Sequence, residues 1–329
     1  MAKTATAETL IQPQISVNGR KSAPVGPMAA SACNVPLRLL QYSTVPGVAA
    51  RIEQYIKRHP QLIARVHVVM IVAYLSLILI SPLLPSPQAG STILTDFVLF
   101  SRFAIWSIWW PFVLLSVVVF GRAWCGLFCP EGALAQAASH VGMNRRIPHW
   151  MTWGGLPLLA FLTITAIGQL LEVDEHPLPQ LVVLGGSTML AVLVSLVFTR
   201  DARVWCRFLC PVSMLFGVFS RLGAATFHVD RARLEASLSS APSQKGHCPV
   251  LIHLPVMSTS RDCHMCFGCA GWRDAIHLRF RRPGEEIERV HQAQPLFWEV
   301  MFLFGGAIGL PLGVFYAEAY ELEGWRLLA

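Results

Sequence analysis

Residues 122–130 read Arg-Ala-Trp-Cys-Gly-Leu-Phe-Cys-Pro, and residues 203–211 read Arg-Val-Trp-Cys-Arg-Phe-Leu-Cys-Pro. Both stretches contain Trp-Cys-x3-Cys-Pro, at an offset of 81 residues, so Cys125 corresponds to Cys206 and Cys129 to Cys210. Each stretch follows a long apolar run. A thiol motif duplicated in this way predicts two successive two-helix units whose motifs reach the same membrane face.

Five apolar runs are long enough to cross a bilayer, which takes about 20 residues of helix. They lie near 65–85, 96–120, 152–171, 181–199 and 297–317. Of the 329 residues, 54% are hydrophobic and 14% are charged, whereas about a quarter of a soluble chain is charged. The predicted fold is therefore mainly α, a polytopic membrane protein of about five transmembrane helices with a tandem two-helix repeat.

The positions of the basic residues predict the orientation. Of the 26 Lys and Arg residues, 24 lie in 1–65, 121–151 or 199–296, and such an excess marks cytoplasmic segments. We therefore expect an inner (cytoplasmic) membrane protein with its N-terminus and cysteine clusters in the cytoplasm and its C-terminus outside. Because the basic residues flank apolar runs, the +7 charge indicates membrane lipid as the partner and not nucleic acid.

A third cluster, Cys-His-Met-Cys-Phe-Gly-Cys, occupies residues 263–269. Cysteines at two-residue intervals are typical of loops that hold a [4Fe-4S] cluster, with a fourth cysteine that precedes proline. Cys263, Cys266 and Cys269 fit the loop, and Cys248, which precedes Pro249, fits the fourth position. The alternative is a structural zinc site. His247, His253 and His264 are interpreted as solvated loop residues, with substitution for a thiolate ligand as the alternative.

The paired motifs allow two interpretations. Residues four apart share one face of a helix, so Cys125/Cys129 and Cys206/Cys210 would each present a thiol pair. Together the pairs would form a four-thiolate site suited to iron or an iron–sulfur cluster. The alternative is that these cysteines are small buried apolar residues. Tryptophans such as Trp106, Trp109 and Trp110 are interpreted as interfacial anchors.

These patterns divide the chain into six predicted segments. They are a disordered tail (1–34), a juxtamembrane segment (35–64), the first two-helix repeat (65–151), the second repeat (152–221), a cytoplasmic ferredoxin-like segment (222–296), and a fifth span with a short outer tail (297–329).

At its cysteine motifs the chain resembles the NapH/NosR/CcoG-type membrane-bound ferredoxins, over roughly residues 60–280. The resemblance implies one [4Fe-4S] cluster in the loop and a redox or metal role for the paired motifs. The chain departs from the NapH type, which has two complete Cys-x2-Cys-x2-Cys-x3-Cys-Pro motifs. Here a single such loop occurs, and the position of its last cysteine holds Arg273.

We therefore expect an electron-transfer subunit, and not a stand-alone enzyme, that links a cytoplasmic or quinone donor to a redox pathway across the membrane. Its expected partners are a redox protein or subunit and a quinone. The alternative is an assembly or metal-handling factor that uses the cysteine motifs as metal sites. A third hypothesis makes the transmembrane repeat a mere anchor for the iron–sulfur loop.

Overall fold

The computed structural model describes residues 46–88, 90–240, 248–288, 297–310 and 312–313. The predicted disordered tail, Cys33 and the predicted outer tail lie outside these residues. The described elements are α1 (Pro46–Arg58), α2 (Pro60–Ile80), α3 (Phe97–Phe120), α4 (Ala123–Leu127), α5 (Pro130–His140), α6 (Leu156–Leu170), α7 (Pro177–Val197), α8 (Val204–Phe208), α9 (Ser213–Ser220), β1 (Ala225–Val229), α10 (Arg231–Ser240), β2 (Ile276–Phe280), α11 (Glu285–Glu288) and α12 (Phe297–Gly309). The predicted mainly α class is confirmed.

Three helices are long and apolar enough to cross a membrane. They are α2 with a 3-10 turn that extends it to Leu83 (24 residues), α3 (24 residues) and α7 (21 residues). They confirm the runs predicted at 65–85, 96–120 and 181–199. The runs at 152–171 and 297–317 contain the shorter apolar helices α6 and α12, so the count of five spans stays a prediction.

Two of the long helices contain a π-helical turn. In α3 it covers Phe103–Trp109, just before Pro111, and in α7 it covers Leu181–Gly185, just before Gly186. Proline supplies no N–H and crowds the preceding turn, and a wider turn relieves both problems. π-turns are common at functional sites, and both of these line the cavity described below.

The two repeats exchange packing partners. The offset of 81 residues carries α4 onto α8, residue for residue. The helix that follows the first motif, α5, packs against α7, which precedes the second motif. Conversely, α9 follows the second motif and packs against α3, which precedes the first. Each motif therefore lies between helices of both repeats.

Residues 222–240 and 248–288, here called the module, fold around a two-stranded antiparallel sheet. Its register pairs Ala225 with Phe280 and Val229 with Ile276. Helix α1 packs on the sheet, where the buried Glu53 carboxylate accepts a hydrogen bond from the backbone N–H of Leu278 at 2.9 Å. The module core includes thiol-bearing residues of the 263–269 cluster, so the sheet positions that loop.

Candidate functional site

The first motif is a short helix that proline stops. The N–H groups of Phe128 and Cys129 both donate to the Trp124 carbonyl at 2.9 Å. A residue before proline disfavours helical angles, and Cys129 is extended, with φ −66° and ψ 116°. Helix α5 then begins at Pro130, a favoured first position. The Cys129 thiol caps it, because its Sγ accepts a hydrogen bond from the N–H of Gly132 at 3.4 Å.

The second motif makes the same turn, although the helix that follows it begins at Ser213 and not at Pro211. The N–H groups of Leu209 and Cys210 both donate to the Trp205 carbonyl at 2.9 Å. The prediction that each cysteine pair shares one helical face is wrong, because each short helix ends before its second cysteine. The thiols come together by the tight turn that the Cys-Pro sequence imposes.

All four thiols of the motifs line one cavity of about 480 Å³. Cys125 and Cys206 are buried, and Cys129 and Cys210 are half-buried. We call this set the paired-thiol site. The two motifs are 81 residues apart in sequence, yet all four of their cysteines face the same cavity.

The cavity runs between the helices away from the thiols. Residues of α3 from Ile105 to Leu114 line it, and so do Gln169 in the last turn of α6 and Asp174 beyond the end of that helix. From Ile105 to the end of α3 is about 20 Å at 1.5 Å per residue. Arg102, near the start of α3, donates from Nε to the Asp174 carbonyl at 2.8 Å and fixes this far end.

Aromatic side chains form much of the wall. Trp106, Trp109 and Trp110 line the cavity and lie near the middle of α3, so their interpretation as interfacial anchors is wrong. Trp109 contacts Trp124 of the first motif edge to face, with ring centroids 5.6 Å apart. Hydropathy cannot separate such a tryptophan from one at a membrane surface, because both occur in apolar helices.

Two buried arginines brace the paired-thiol site, and they occupy equivalent positions of the repeat. Arg203 is 1% exposed, and its Nη1 donates to the Cys125 carbonyl at 2.8 Å. Arg122 is 3% exposed, and its Nη2 donates to Ser213 Oγ at 2.9 Å. Ser213 Oγ in turn donates to the Cys206 carbonyl at 3.1 Å. Each arginine thus supports the first cysteine of the opposite motif.

The site also contains a carboxyl group. Glu131, next to Pro130, accepts hydrogen bonds from Ser187 Oγ and, at 3.2 Å, from Thr188 Oγ1 of α7. Thr188 is also hydrogen-bonded to the Tyr74 hydroxyl of α2, at 3.0 Å. No local sequence pattern predicts this network, because its three helices are far apart along the chain.

The other four predicted ligands also come together. Cys248, Cys263, Cys266 and Cys269 line one small cavity with apolar side chains such as Phe227. We call this set the loop site. Burial raises the pKa of Cys269 to about 12 and raises the pKa values of Cys263 and Cys248 above their ordinary value.

The backbone of the loop is bent around this cavity. Met265 and Phe267, which stand on either side of Cys266, have φ angles of 50° and 60°. Left-handed angles cost a residue with a side chain roughly 1–2 kcal/mol and occur where a functional constraint holds the backbone. Here they turn successive thiols toward one point.

The histidines that could replace a thiolate differ in position. His253 is exposed, and His247 lies outside the described residues. The interpretation of His264 as a solvated loop residue is wrong, because this side chain is 2% exposed and lines the cavities of both sites. Burial, and then the charges of Arg122, Arg203 and Arg207, lower the pKa of His264 well below its ordinary value.

Comparisons with known proteins agree with the cysteine motifs. A family described as "4Fe-4S binding domain" matches residues 103–148 and 181–229. One matched segment contains Cys125 and Cys129, and the other contains Cys206 and Cys210, whereas the loop site lies outside both.

Among curated proteins, "Regulatory protein NosR" of Pseudomonas aeruginosa is 26% identical over 182 residues, which are 49% of this chain and 25% of that protein. The match thus spans about a quarter of the length of that relative. No solved structure matches the chain significantly. The family match and the similarity to NosR confirm that this chain resembles the NapH/NosR type of 4Fe-4S membrane protein.

Proposed function

We propose that this chain is a membrane-bound electron-transfer protein with iron–sulfur clusters at the loop site and at the paired-thiol site. The observation that carries the proposal is the convergence of each set of four thiols on its own cavity. Four thiolates are the usual ligands of a [4Fe-4S] cluster, and such a cluster accepts and donates single electrons. The chain's own part is to hold the thiolates, exclude water and supply the surrounding charges.

The spacing of the thiols favours clusters over single zinc ions. Three sulfurs bound to one zinc ion at about 2.3 Å all lie within about 4.6 Å of one another. Among the described residues, the group of three potential ligands whose ligand atoms all lie within 4.8 Å of one another consists of Glu172, Glu175 and His176. All three residues are exposed, and the group contains no cysteine. Both thiol sets are thus more open than one zinc ion requires.

The environment of the paired-thiol site suits a charged cluster. A cluster with four thiolate ligands is an anion, and Arg122 and Arg203 provide two buried positive charges beside it. Burial raises the pKa of Cys206 to about 12, so the thiol is neutral at physiological pH until iron displaces its proton.

We further propose that the module faces the cytoplasm and that the cavity binds a quinone. The charge distribution of the loops supports the orientation. A mostly apolar cavity with a few polar groups is typical of sites for small organic molecules, and this one combines a tryptophan-rich wall with Arg122, Glu131 and Tyr74. The quinone and the paired-thiol site would together carry electrons between the module and the far side of the membrane.

Metal and sulfide analysis of anaerobically purified protein tests the proposal. We expect about eight iron and eight sulfide per chain, four of each per cluster. Cys125→Ser with Cys206→Ser should remove one half, and Cys263→Ser with Cys269→Ser the other. Cys33→Ser is the matched control and should remove none. Stoichiometric zinc without sulfide would refute the proposal.

A second measurement separates electron transfer from metal handling. Reduced protein is mixed with a soluble quinone analogue, and the EPR signals of the reduced clusters are followed. Rapid loss of the signals, slowed by the Cys125→Ser variant, supports electron transfer through the paired-thiol site. Clusters that are not reoxidised would favour an assembly factor instead.

A further inference from the structure

Both copies of the thiol motif touch the module, and they do so beside their cysteines. A Cβ on Gly126 would overlap the His264 carbonyl oxygen and lie 2.7 Å from the Met265 carbonyl carbon. The backbone of Cys125–Gly126 is therefore in contact with the backbone of the loop site. Given standard bond lengths, Cys125 and Cys266 have Cα atoms at most about 10 Å apart.

The second motif makes equivalent contacts. The backbone N–H of Arg203 donates to the Pro249 carbonyl at 2.6 Å, directly after Cys248. Arg207, which follows Cys206, forms an ion pair with Asp262, which precedes Cys263, at 2.7 Å. The motifs of both repeats thus contact the module close to the cysteines of the loop site.

His264 is the side chain that belongs to both sites. It belongs to the loop, between Cys263 and Met265, and it lines the cavity of the paired-thiol site as well as the cavity of the loop site. Its Nδ1 is buried and has no hydrogen-bond partner among the described residues. More than nine in ten buried polar groups have a hydrogen-bond partner, so the unpaired Nδ1 indicates that a group bound at the site completes its hydrogen bonding.

We propose that His264 is a positioning residue of the paired-thiol site, supplied by the loop of the other site. The inference rests on the proposed function, because it requires iron–sulfur clusters at both sites. An imidazole ring carries at least one N–H donor in either protonation state, and hydrogen bonds to sulfur are one of the means by which a protein raises the reduction potential of a cluster. The loop would thereby tune the neighbouring site as well as its own.

Substitution of His264 in the full-length protein tests the inference. In His264→Leu we expect both clusters to be retained and the midpoint potential of the paired-thiol site to fall. The expected fall corresponds to about a tenfold change in the equilibrium constant, or about 59 mV for one electron. His264→Asn keeps a polar nitrogen near the same position and should restore much of the potential. His253→Leu, which changes an exposed histidine of the module, is the matched control and should leave the potential unchanged.

A spectroscopic measurement covers the case in which His264→Leu does not accumulate. Wild-type protein carrying histidine labelled with ¹⁵N in its ring should show a ¹⁵N coupling on the EPR signal that Cys125→Ser abolishes. An uncoupled signal, or an unchanged potential in His264→Leu, would overturn the inference. Zinc without sulfide in the wild-type protein would instead overturn the proposed function, so the two failures are distinguishable.

Discussion

Replacement of Arg203 by methionine measures how far the paired-thiol site depends on a buried guanidinium. Arg203 Nε donates to Gln136 Oε1, and Nη1 donates to the Cys125 carbonyl, both at 2.8 Å. Methionine fills similar space but donates to neither oxygen. The Cys125 carbonyl is the buried acceptor of the two, whereas the half-buried Gln136 amide can turn to water. Since a buried acceptor left without a donor costs about 1–3 kcal/mol, we expect the free energy of unfolding to fall by about 1–3 kcal/mol.

The assay is equilibrium unfolding of the protein in detergent, together with iron and sulfide per folded chain. Arg203→Met should lose iron from the paired-thiol site, and Arg203→Lys, which keeps the charge but not the planar fork of donors, should lie between it and the wild type. Arg221→Met is the matched control, because Arg221 is a half-buried arginine that binds Glu299, at 2.9 Å, and not the cysteine motifs. It should lower stability and leave the iron content unchanged. A change below about 0.5 kcal/mol in Arg203→Met, the size of a neutral surface substitution, with full iron content, would refute the reasoning.

Three further predictions concern the module. In the metal-free protein, burial raises the pKa of the Cys269 thiol from its ordinary value near 8.5 to about 12. The fold should therefore be most stable below the ordinary pKa and lose stability as the pH rises toward the raised pKa, because ionisation of the thiol then favours the unfolded chain. A melting temperature that is independent of pH over this range would contradict the prediction. Asp262→Asn should speed amide hydrogen exchange in the adjoining loop, because it removes a paired carboxylate whose pKa burial raises but the neighbouring arginines lower further, below its ordinary value. Asp230→Asn, which changes an exposed ion pair, should leave exchange in that loop unchanged. Equal effects of the two substitutions would argue against a special role of Asp262. Glu53→Ala should lower the free energy of unfolding by about 1–3 kcal/mol, because it leaves the Leu278 N–H without an acceptor. Glu53→Gln should retain most of the stability. If the Leu278 amide is as well protected from hydrogen exchange in Glu53→Ala as in the wild type, the prediction is refuted.

The sequence was sufficient to predict the elements that depend on local pattern. Apolar runs predicted three helices that the structure contains, and the 81-residue offset predicted two equivalent motifs. The local conformation of the motif was predicted less well. Helical spacing suggested that Cys125 and Cys129 share a helix, but the effect of Pro130 on the residue before it prevails, and Cys129 leaves the helix.

The contacts that define the site could not be predicted, because they join residues far apart along the chain. Arg203 and Cys125 are 78 residues apart, and Arg122 and Arg261 are 139 apart. Neither hydrophobic periodicity nor motif spacing carries information about such pairs. One signal was present, since an arginine stands three residues before the first cysteine in both motifs. Its duplication, like that of the cysteines, could have marked it as part of the site.

The exchange of packing partners between the repeats has a consequence for biosynthesis. While the ribosome is still producing α7, the first motif has been made but the helix against which α5 packs is incomplete. Neither half can reach its final structure alone, and the two cysteine pairs meet only after the second half has been inserted. A group held by all four thiols could therefore be inserted only after translation of at least 210 residues. A chain truncated between the halves would keep the Cys125 and Cys129 thiols but lack the two thiols that share their cavity.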